Sequence, residues 1–321
     1  MVSAERILES LPTALKGIDL PDLGPKQSGK VRDFWVQGER RITVTTDRQS
    51  AFDRMLGHVP FKGTVLNQLA AWWFEQTKHI VPSHVISVPD PNALISHNCD
   101  MVPVEIVVRG YLSGVTNTAV WPSYQRGERM IYGLEFPDGM VKNQALSRPV
   151  ITPTTHGGGP TGHDERLTRD EIIGRGIVER DLYEEMERVA LKLFAFGSKV
   201  ALERGLILVD TKYEFGVHND RLILIDEIHT PDSSRFWKAD SYPDRMDAGE
   251  EPENFDKEFI RLWYAERGYR GEGDPPPMSD ELVMAAAQRY IEAFEILSGE
   301  KFEPYEYPIE ERIKENLRVV I

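Results

Sequence analysis

Apolar and polar residues alternate with two different periods along the chain, and each period predicts a different element. "KVRDFWVQ" and "RRITVTTD" alternate like strands and are joined by the turn "GER". "GTVLNQLAAWWFEQTKHI" then has an apolar stripe with helical spacing at Leu66, Leu69, Trp73 and Phe74. The stretch "VPDPNAL" contains two prolines and an asparagine, and we interpret it as a connection between two domains.

The rest of the chain mixes the same two patterns. "MVPVEIVVRGYLSG" predicts a strand that enters a glycine turn, and residues 121–168, rich in Gly and Pro, predict long loops around short strands. Residues 179–205 predict a helix that ends at Gly205. Another helix is predicted over 280–297, with Ser279 as its N-cap and Gly299 just past its end. We therefore expect an α+β fold, with a small antiparallel-sheet domain over 1–95 and a larger α+β domain over 96–321.

Composition and charge narrow the classes of partner. The 321 residues are 40% hydrophobic and carry a formal net charge of −14, which disfavours binding to nucleic acid or to an anionic membrane surface. The longest apolar runs are too short to cross a bilayer. Cys99 is the single cysteine, so no intrachain disulfide forms. These features predict a cytoplasmic protein with small-molecule partners, and they leave the oligomeric state open.

The stretch "LILVDTKYEFG" places Asp210, Lys212 and Glu214 on one face of a strand, because side chains alternate between faces. A hairpin through "VHND" puts Lys212 opposite Asp226 and Glu214 opposite Leu224 if the turn centres on 218–220. Glu214 and Asp226 would then be diagonal neighbours, about 7–8 Å apart. Two carboxylates this close favour a cation between them, and Mg²⁺ prefers such oxygen ligands. A ladder of surface ion pairs is the alternative interpretation.

A magnesium cleft needs groups that bind phosphate, and the chain contains candidates. "SGKVRDF" places Gly29 before two cations, Lys30 and Arg32, on one face of a strand. Arg109 ends an apolar strand and is followed by Gly110. Arg235 follows the acidic hairpin in a polar loop. Arginines in these places suit bidentate binding of a phosphate or a carboxylate.

Six stretches together resemble the phosphoribosylaminoimidazole-succinocarboxamide synthase (SAICAR synthetase) family. "VPVEIVVRGYLSG" resembles its first recurrent motif and "LVDTKYEFG" closely matches its second. Four further stretches resemble other landmarks of the family and occur in the family's order: "SGKVRDF", "TTDRQSAFD", "GHDERLT" and "DEIHTPDSSRFW". The resemblance covers nearly the whole chain. The resemblance implies an ATP-dependent ligase of purine biosynthesis. It implies that L-aspartate is joined to the carboxylate of carboxyaminoimidazole ribotide through an acyl phosphate.

The family fold implied is related to kinases and ATP-grasp enzymes, with ATP between a small sheet domain and a larger domain that carries the metal and substrate site. Glu214 and Asp226 are then the expected Mg²⁺ ligands. Four residues are expected to be catalytic: Lys212, Asp210, Arg109 and Arg235. Four are expected at the ATP: Gly29, Lys30, Arg32 and Glu105. The substrate side is expected to include Arg109, Ser113, Thr116, Asp232, Ser233, Arg235 and Asp53. No base that deprotonates the aspartate amine can be assigned.

The polar stretch with Asp47, Arg48, Ser50 and Asp53 is interpreted either as a loop that closes over the imidazole or as a turn with local hydrogen bonds. His163 is interpreted as a loop histidine rather than a catalyst.

The sequence departs from the family pattern at two places. Val115 stands where many members have a serine, so Ser113 or Thr116 supplies the hydroxyl or the contact is missing. His156 and three glycines stand where a lysine is frequent, which puts a cationic role there in doubt. A different phosphotransferase and a nucleotide-binding protein without catalysis are the rival functions. The kinase motifs "HRD" and "DFG" are absent from the sequence, and both predicted metal ligands are present.

Overall fold

The computed structural model describes residues 2–52, 54–156 and 164–320. Two antiparallel sheets with helices packed against them give the α+β fold that the sequence predicts. The N-terminal sheet has the order β1-β2-β3-β7-β6, and a separate hairpin pairs β4 with β5. The bounds of these strands are β1 Gln27–Ser28, β2 Arg32–Gln37, β3 Arg40–Thr45, β4 Arg48–Ala51, β5 Arg54–His58, β6 Val85–Asp90 and β7 Ala93–His97.

The hairpin of β2 and β3 forms as predicted. Its strands pair from Arg32 with Thr45 to Gln37 with Arg40, and Gly38 has a φ of 59°, which glycine adopts without strain.

The stretch "VPDPNAL" was predicted as an inter-domain connection, and this prediction is wrong. It holds the turn between β6 and β7, so it lies inside the first sheet. The two prolines are compatible with this position because β6 is an edge strand and the second proline lies in the turn.

The second sheet is built around a long central strand, β14. Its order is β12-β9-β14-β15, with β8, β13 and β16 paired at its margins. β9 pairs with β14 along one edge, while β16 and then β15 pair along the other. The bounds are β8 Asp100–Met101, β9 Val104–Tyr111, β12 Ala145–Ile151, β13 Thr154–Thr155, β14 Leu206–His218, β15 Arg221–Ile225 and β16 Ser234–Lys238, with a separate pair β10 Met130–Ile131 and β11 Leu134–Glu135.

Helices cover the apolar faces of both sheets. α5 packs against β14 through its buried stripe, and α2 packs against α8. α8 begins and ends as predicted, because Ser279 accepts a hydrogen bond from the Leu282 amide and Gly299 ends the helix with a φ of 75°. The helices are α1 Ala4–Ser10, α2 Lys62–Thr77, α3 Val120–Gln125, α4 Arg169–Gly174, α5 Arg180–Glu203, α6 Tyr242–Ala248, α7 Glu258–Glu266, α8 Asp280–Ser298 and α9 Glu310–Arg318, with 3₁₀ turns at Leu11–Thr13 and Pro21–Leu23.

The C-terminal helix α9 packs on the N-terminal sheet. Ile309 and Ile313 are buried in the same cluster as Trp35 and Ile42, which face each other across β2 and β3. Helix α9 therefore completes the hydrophobic core of the N-terminal sheet. The division into two domains over 1–95 and 96–321 remains a proposal. Because α9 packs on the N-terminal sheet, the first domain in this proposal also includes α9. Across the described ranges, no helix has both the length and the apolar character that a bilayer span requires.

Candidate active site

Lys212 stands at the centre of a carboxylate cluster. Its Nζ lies 3.0 Å from Oε1 of Glu105 and 3.8 Å from Oδ2 of Asp226, and it also donates to Glu214. β9 and β14 bring Glu105 there, because Lys212 pairs with Val107 and Glu105 lies two residues away on the same face. Burial opposes the charge on Lys212, but Glu214, Glu105 and Asp226 together raise its pKa well above the ordinary value. Lys212 is therefore a fixed cation.

The register of the acidic hairpin differs by one residue from the prediction. Glu214 pairs with Ile225, and Leu224 pairs with Phe215. A one-residue shift moves side chains to the opposite face, so within the sheet Asp226 is neither directly opposite Lys212 nor a diagonal neighbour of Glu214, as was predicted. Asp226 instead follows the end of β15 with a φ of 61°. This left-handed backbone conformation brings its carboxylate back into the cluster.

Three ligand groups converge beside Lys212. The candidate ligand atoms of Glu105, His156 and Glu214 all lie within 4.8 Å of one another. Nδ1 of His156 is 3.4 Å from Glu214 and 3.6 Å from Glu105, and the nearby carboxylates of Glu105 and Glu214 raise the pKa of this histidine. The predicted ligand Glu214 belongs to this trio, whereas Asp226 adjoins it through Lys212. His156 therefore places a ring nitrogen where the sequence left a cationic role in doubt.

The glycine–lysine turn lies at the same cleft. The Gly29 amide donates to the Arg32 carbonyl at 2.8 Å, which closes the turn before β2. Arg32 is engaged by two carboxylates at 2.9 Å, those of Asp226 and Glu227, so the structure pairs it within the protein. The cleft has a volume of about 870 Å³ and is lined by Gly29, Lys30, Arg32, Glu105, His156, Lys212, Glu214 and Asp226 among others.

Asp210 lies between two arginines because β14 has a neighbour on each edge. Its direct partners are Arg109 on β9 and Arg235 on β16. Arg109 donates from Nη1 to Oδ2 at 3.0 Å, and Arg235 donates to both carboxylate oxygens at 3.0 and 2.7 Å. Burial opposes ionisation, but the charges of Arg235 and Arg109 lower the pKa of Asp210. Arg109 also donates to Thr152 and Thr118, so each of its three nitrogens has a protein acceptor.

A smaller cavity of about 150 Å³ adjoins the arginine pair. Its lining includes Thr116, Val115, Ser233 and Arg235. Ser113 does not line this cavity or the cleft, and its hydroxyl donates to Asn143 at 2.8 Å. Of the two hydroxyls that the sequence left open, the structure therefore places Thr116 at the site and buries Ser113 elsewhere.

Asp232 lies between the two cavities and is held by residues that the sequence did not predict. Its Oδ2 is 2.9 Å from Nζ of Lys62, whose side chain is fully buried, and its Oδ1 accepts from the Tyr290 hydroxyl at 2.5 Å. Burial opposes ionisation, but Lys257 and Lys62 lower the pKa of Asp232 well below its usual range. Lys62 belongs to a largely apolar helix, α2, and no sequence motif marks it as a functional residue. The hint in the sequence is that a charged residue lies on a helix face expected to be buried.

The polar stretch after β3 forms structure rather than an open loop. Asp47 accepts hydrogen bonds from the Leu15 and Gly63 amides and from the Tyr307 hydroxyl, and Arg48 begins β4 with an ion pair to Asp33 at 2.9 Å. Ser50 lines the larger cleft. The predictions for Asp53 and His163 fall outside the described residues.

Comparison with known proteins identifies the family of this chain. A family model described as SAICAR synthetase matches residues 26–276. The phosphoribosylaminoimidazole-succinocarboxamide synthase of Legionella pneumophila (strain Paris) is 49% identical over 313 residues, which cover 96% of this chain and 99% of the relative. The chloroplastic synthase of Arabidopsis thaliana is 45% identical over 318 residues, covering 97% of this chain and 77% of the relative.

Solved structures give the same family. The SAICAR-synthase from Saccharomyces cerevisiae, complexed with SAICAR, matches with a TM-score of 0.77 and 29% identity over 90% of this chain and 100% of that one. A SAICAR synthetase in complex with ADP matches with a TM-score of 0.65 and 25% identity, covering 87% of this chain and 100% of that one. The chain therefore belongs to the SAICAR synthetase family, whose members are ATP-dependent ligases of purine biosynthesis.

Proposed function

We propose that this chain joins L-aspartate to the carboxylate of carboxyaminoimidazole ribotide, with ATP converted to ADP and phosphate. The observation that carries the proposal is the position of Lys212, which lies among three carboxylates in the large cleft and also lines the smaller cavity. Phosphoryl transfer needs positioned charge more than covalent help from the protein. A fixed ammonium where the two cavities meet suits that need.

ATP is assigned to the larger cleft, with its phosphates near Gly29 and Lys30. Glu214 and Asp226 are the proposed Mg²⁺ ligands, with Glu105 and His156 beside them. The donor set fits the ion, since burial and the nearby charge of Glu214 raise the pKa of Asp226, and a cation would relieve this repulsion. When bound, Mg²⁺ would neutralise charge on the phosphates. Arg32 holds Asp226 and Glu227 and is assigned a positioning role.

The ribotide is assigned to the region between the cleft and the smaller cavity. Arg235 and the hydroxyls of Thr116 and Ser233 line that cavity and match a phosphate or a carboxylate. Arg109 is nearly fully buried and its nitrogens already have acceptors, so it positions Asp210 and, through it, Arg235. Ser113 is omitted from the proposed substrate contacts.

The partners and the location of the protein are inferred from its sequence. The net charge of −14 disfavours nucleic-acid partners, and cytoplasmic location stays a prediction.

Release of ADP tests the proposed reaction. Purified protein is supplied with ATP, Mg²⁺, carboxyaminoimidazole ribotide and L-aspartate, and each component is omitted in turn. We expect ADP together with a succinylated product, as identified by its mass, only when all four are present. Steady release of ADP without aspartate would overturn the proposal. Tight binding of magnesium and ATP with no turnover would overturn it as well.

A further inference from the structure

We propose that Lys257 accepts a proton from the α-ammonium group of L-aspartate and so generates the amine that attacks the activated ribotide. This inference rests on the proposed function. An ammonium nitrogen has no free electron pair, so a positioned proton acceptor near the attacking nitrogen accelerates the step. The sequence offered no candidate for this acceptor.

Lys257 lies where the two cavities meet. Lys257 is the residue that immediately precedes α7, and it lines both the large cleft and the smaller cavity. Lys212, Asp232 and Ser233 share this property. The attacking amine must reach a carboxyl group that has just received phosphate from ATP. A side chain where the two cavities meet is therefore placed between the nucleotide side and the acceptor side.

The ammonium group of Lys257 is incompletely paired. Nζ of Lys257 lies 3.9 Å from Oδ2 of Asp232, which is longer than a hydrogen bond. That carboxylate is already engaged by Lys62 and Tyr290. Within residues 2–52, 54–156 and 164–320, no closer ion-pair partner of Lys257 is present. Its side chain is only 17% exposed, so an inward-facing amine is left available to a ligand.

The surroundings of Lys257 favour its neutral form. Burial lowers the pKa of this ammonium, and the charges of Arg261 on α7 and Lys62 on α2 lower it further. Asp232 and Glu227 act in the opposite direction. The positive end of the α7 dipole also disfavours a cation at this position. A lysine with a lowered pKa gives up its own proton more readily, and the neutral amine can then accept a proton from a substrate.

Other groups at the junction are poorer acceptors. Lys212 is kept charged by its three carboxylates, and Asp210 is kept ionised with both oxygens engaged by arginines. Asp232 lines both cavities, but Lys62 and Tyr290 already engage its oxygens. Asp256 is a further alternative, since burial raises its pKa to about 7. Each oxygen of Asp256 accepts a backbone amide, from Phe236 and Glu258, and Asp256 lines the smaller cavity but not the large cleft.

The proposed step balances in atoms and charge. One proton moves from the α-ammonium of aspartate to Nζ of Lys257, and the nitrogen lone pair then forms a bond to the acyl carbon. The bond between that carbon and the phosphate oxygen breaks, and inorganic phosphate leaves with the electron pair. The second proton on nitrogen is lost to solvent, which leaves the neutral amide.

Hydroxylamine separates this step from the first one. It is uncharged at neutral pH, so it can trap an acyl phosphate as a hydroxamate without a proton acceptor. We expect Lys257→Met to lower turnover with aspartate by about 10²–10⁴-fold and to keep hydroxamate formation. Lys257→Arg should behave likewise, because guanidinium stays protonated. Lys199→Met is the matched control, since Lys199 also has an ion pair of 3.9 Å but lies on an exposed face.

Three results would overturn the inference. Full aspartate turnover in Lys257→Arg would mean that the residue supplies charge only. Loss of hydroxamate formation in a folded Lys257→Met would place the residue in the first step. In Lys257→Ala, added primary amines should restore aspartate turnover in order of their basicity, and no restoration would also count against it. If the unchanged protein forms neither product, the proposed function itself has failed, and the inference fails with it.

Discussion

Nζ of Lys212 lies 3.0 Å from Oε1 of Glu105, although 107 positions separate the two residues along the chain. The contact exists because β9 pairs with the middle of β14 and both side chains lie on the face that lines the cleft. With Glu214 and Asp226 it forms a cluster in which three carboxylates surround one ammonium. The cluster accounts for the magnesium and phosphate chemistry proposed above.

Lys212→Met tests the role of the central cation. The methionine side chain keeps the length and removes the charge, so stabilisation of the transferred phosphoryl group is lost. We expect kcat to fall by about 10²–10³-fold, the range found when one preorganised electrostatic group is removed. Steady-state kinetics at saturating Mg²⁺ and ATP measure this effect. Lys199→Met should leave kcat unchanged, and a kcat within a few-fold of the original in Lys212→Met would reject the assignment.

Glu214→Gln tests the proposed metal ligand. The substitution keeps the shape and removes one negative charge, which weakens the attraction for Mg²⁺. We expect the Mg²⁺ concentration needed for half-maximal activity to rise at least as much as when outer-shell partners are lost, about 10–100-fold. Glu253→Gln is the control, because Glu253 pairs with Lys238 at 3.5 Å on an exposed surface. An unchanged magnesium requirement in Glu214→Gln would place the ion elsewhere.

Arg109→Leu tests whether Arg109 positions Asp210. Removing one partner leaves a buried carboxylate with less compensating charge, so we expect the free energy of unfolding to fall by about 3–5 kcal/mol. Denaturant titration measures it. Arg126→Leu, which breaks an exposed ion pair of 2.9 Å with Glu128, should lower the free energy of unfolding far less, because solvent screens that pair. Equal costs for the two variants would show that Asp210 does not depend on Arg109.

The lowered pKa of Asp210 leads us to expect that the stability of the fold depends on pH. Its pKa is lowered in the folded chain from an ordinary value of 3.8, so the unfolded chain binds more protons at acidic pH. The ionised carboxylate therefore contributes stability that is fully present above about pH 5 and is lost as the pH falls below 3.8 towards the folded pKa.

Asp210→Asn isolates this contribution. The difference in unfolding free energy between the original chain and Asp210→Asn should be largest near neutral pH and shrink steadily below pH 3.8. Urea titrations at a series of pH values measure it. A difference that stays constant across this range would show that ionisation of Asp210 contributes nothing to stability.

Local patterns predicted most elements because each pattern reports on its own segment. The caps of α8 at Ser279 and Gly299 and the turn between β2 and β3 are set by residues next to them in sequence. The hairpin register was missed by one residue because Asn219 and Asp220 both have positive φ and form a tight two-residue turn between His218 and Arg221. The prolines of "VPDPNAL" suggested a linker, yet they fit an edge strand and its turn.

The candidate site was predicted where chemistry is concentrated in one stretch, and missed where tertiary pairing decides. Asp210, Lys212 and Glu214 stand out because they alternate within one strand. The ion pair between Lys62 and Asp232 joins residues 170 positions apart, and the approach of His156 to Glu214 depends on how β13 pairs with β9. The sequence also could not show that Arg109 and Ser113 donate their hydrogen bonds to acceptors inside the protein.

The fate of the carboxylate oxygens tests the central claim most directly. If the ribotide carboxylate attacks ATP to form an acyl phosphate that the aspartate amine then opens, one carboxylate oxygen must leave with the phosphate. Ribotide labelled with ¹⁸O in its carboxylate is converted with unlabelled ATP, and the phosphate is analysed by mass spectrometry. We predict one labelled oxygen in each phosphate released with product. Product accompanied by unlabelled phosphate would contradict the account.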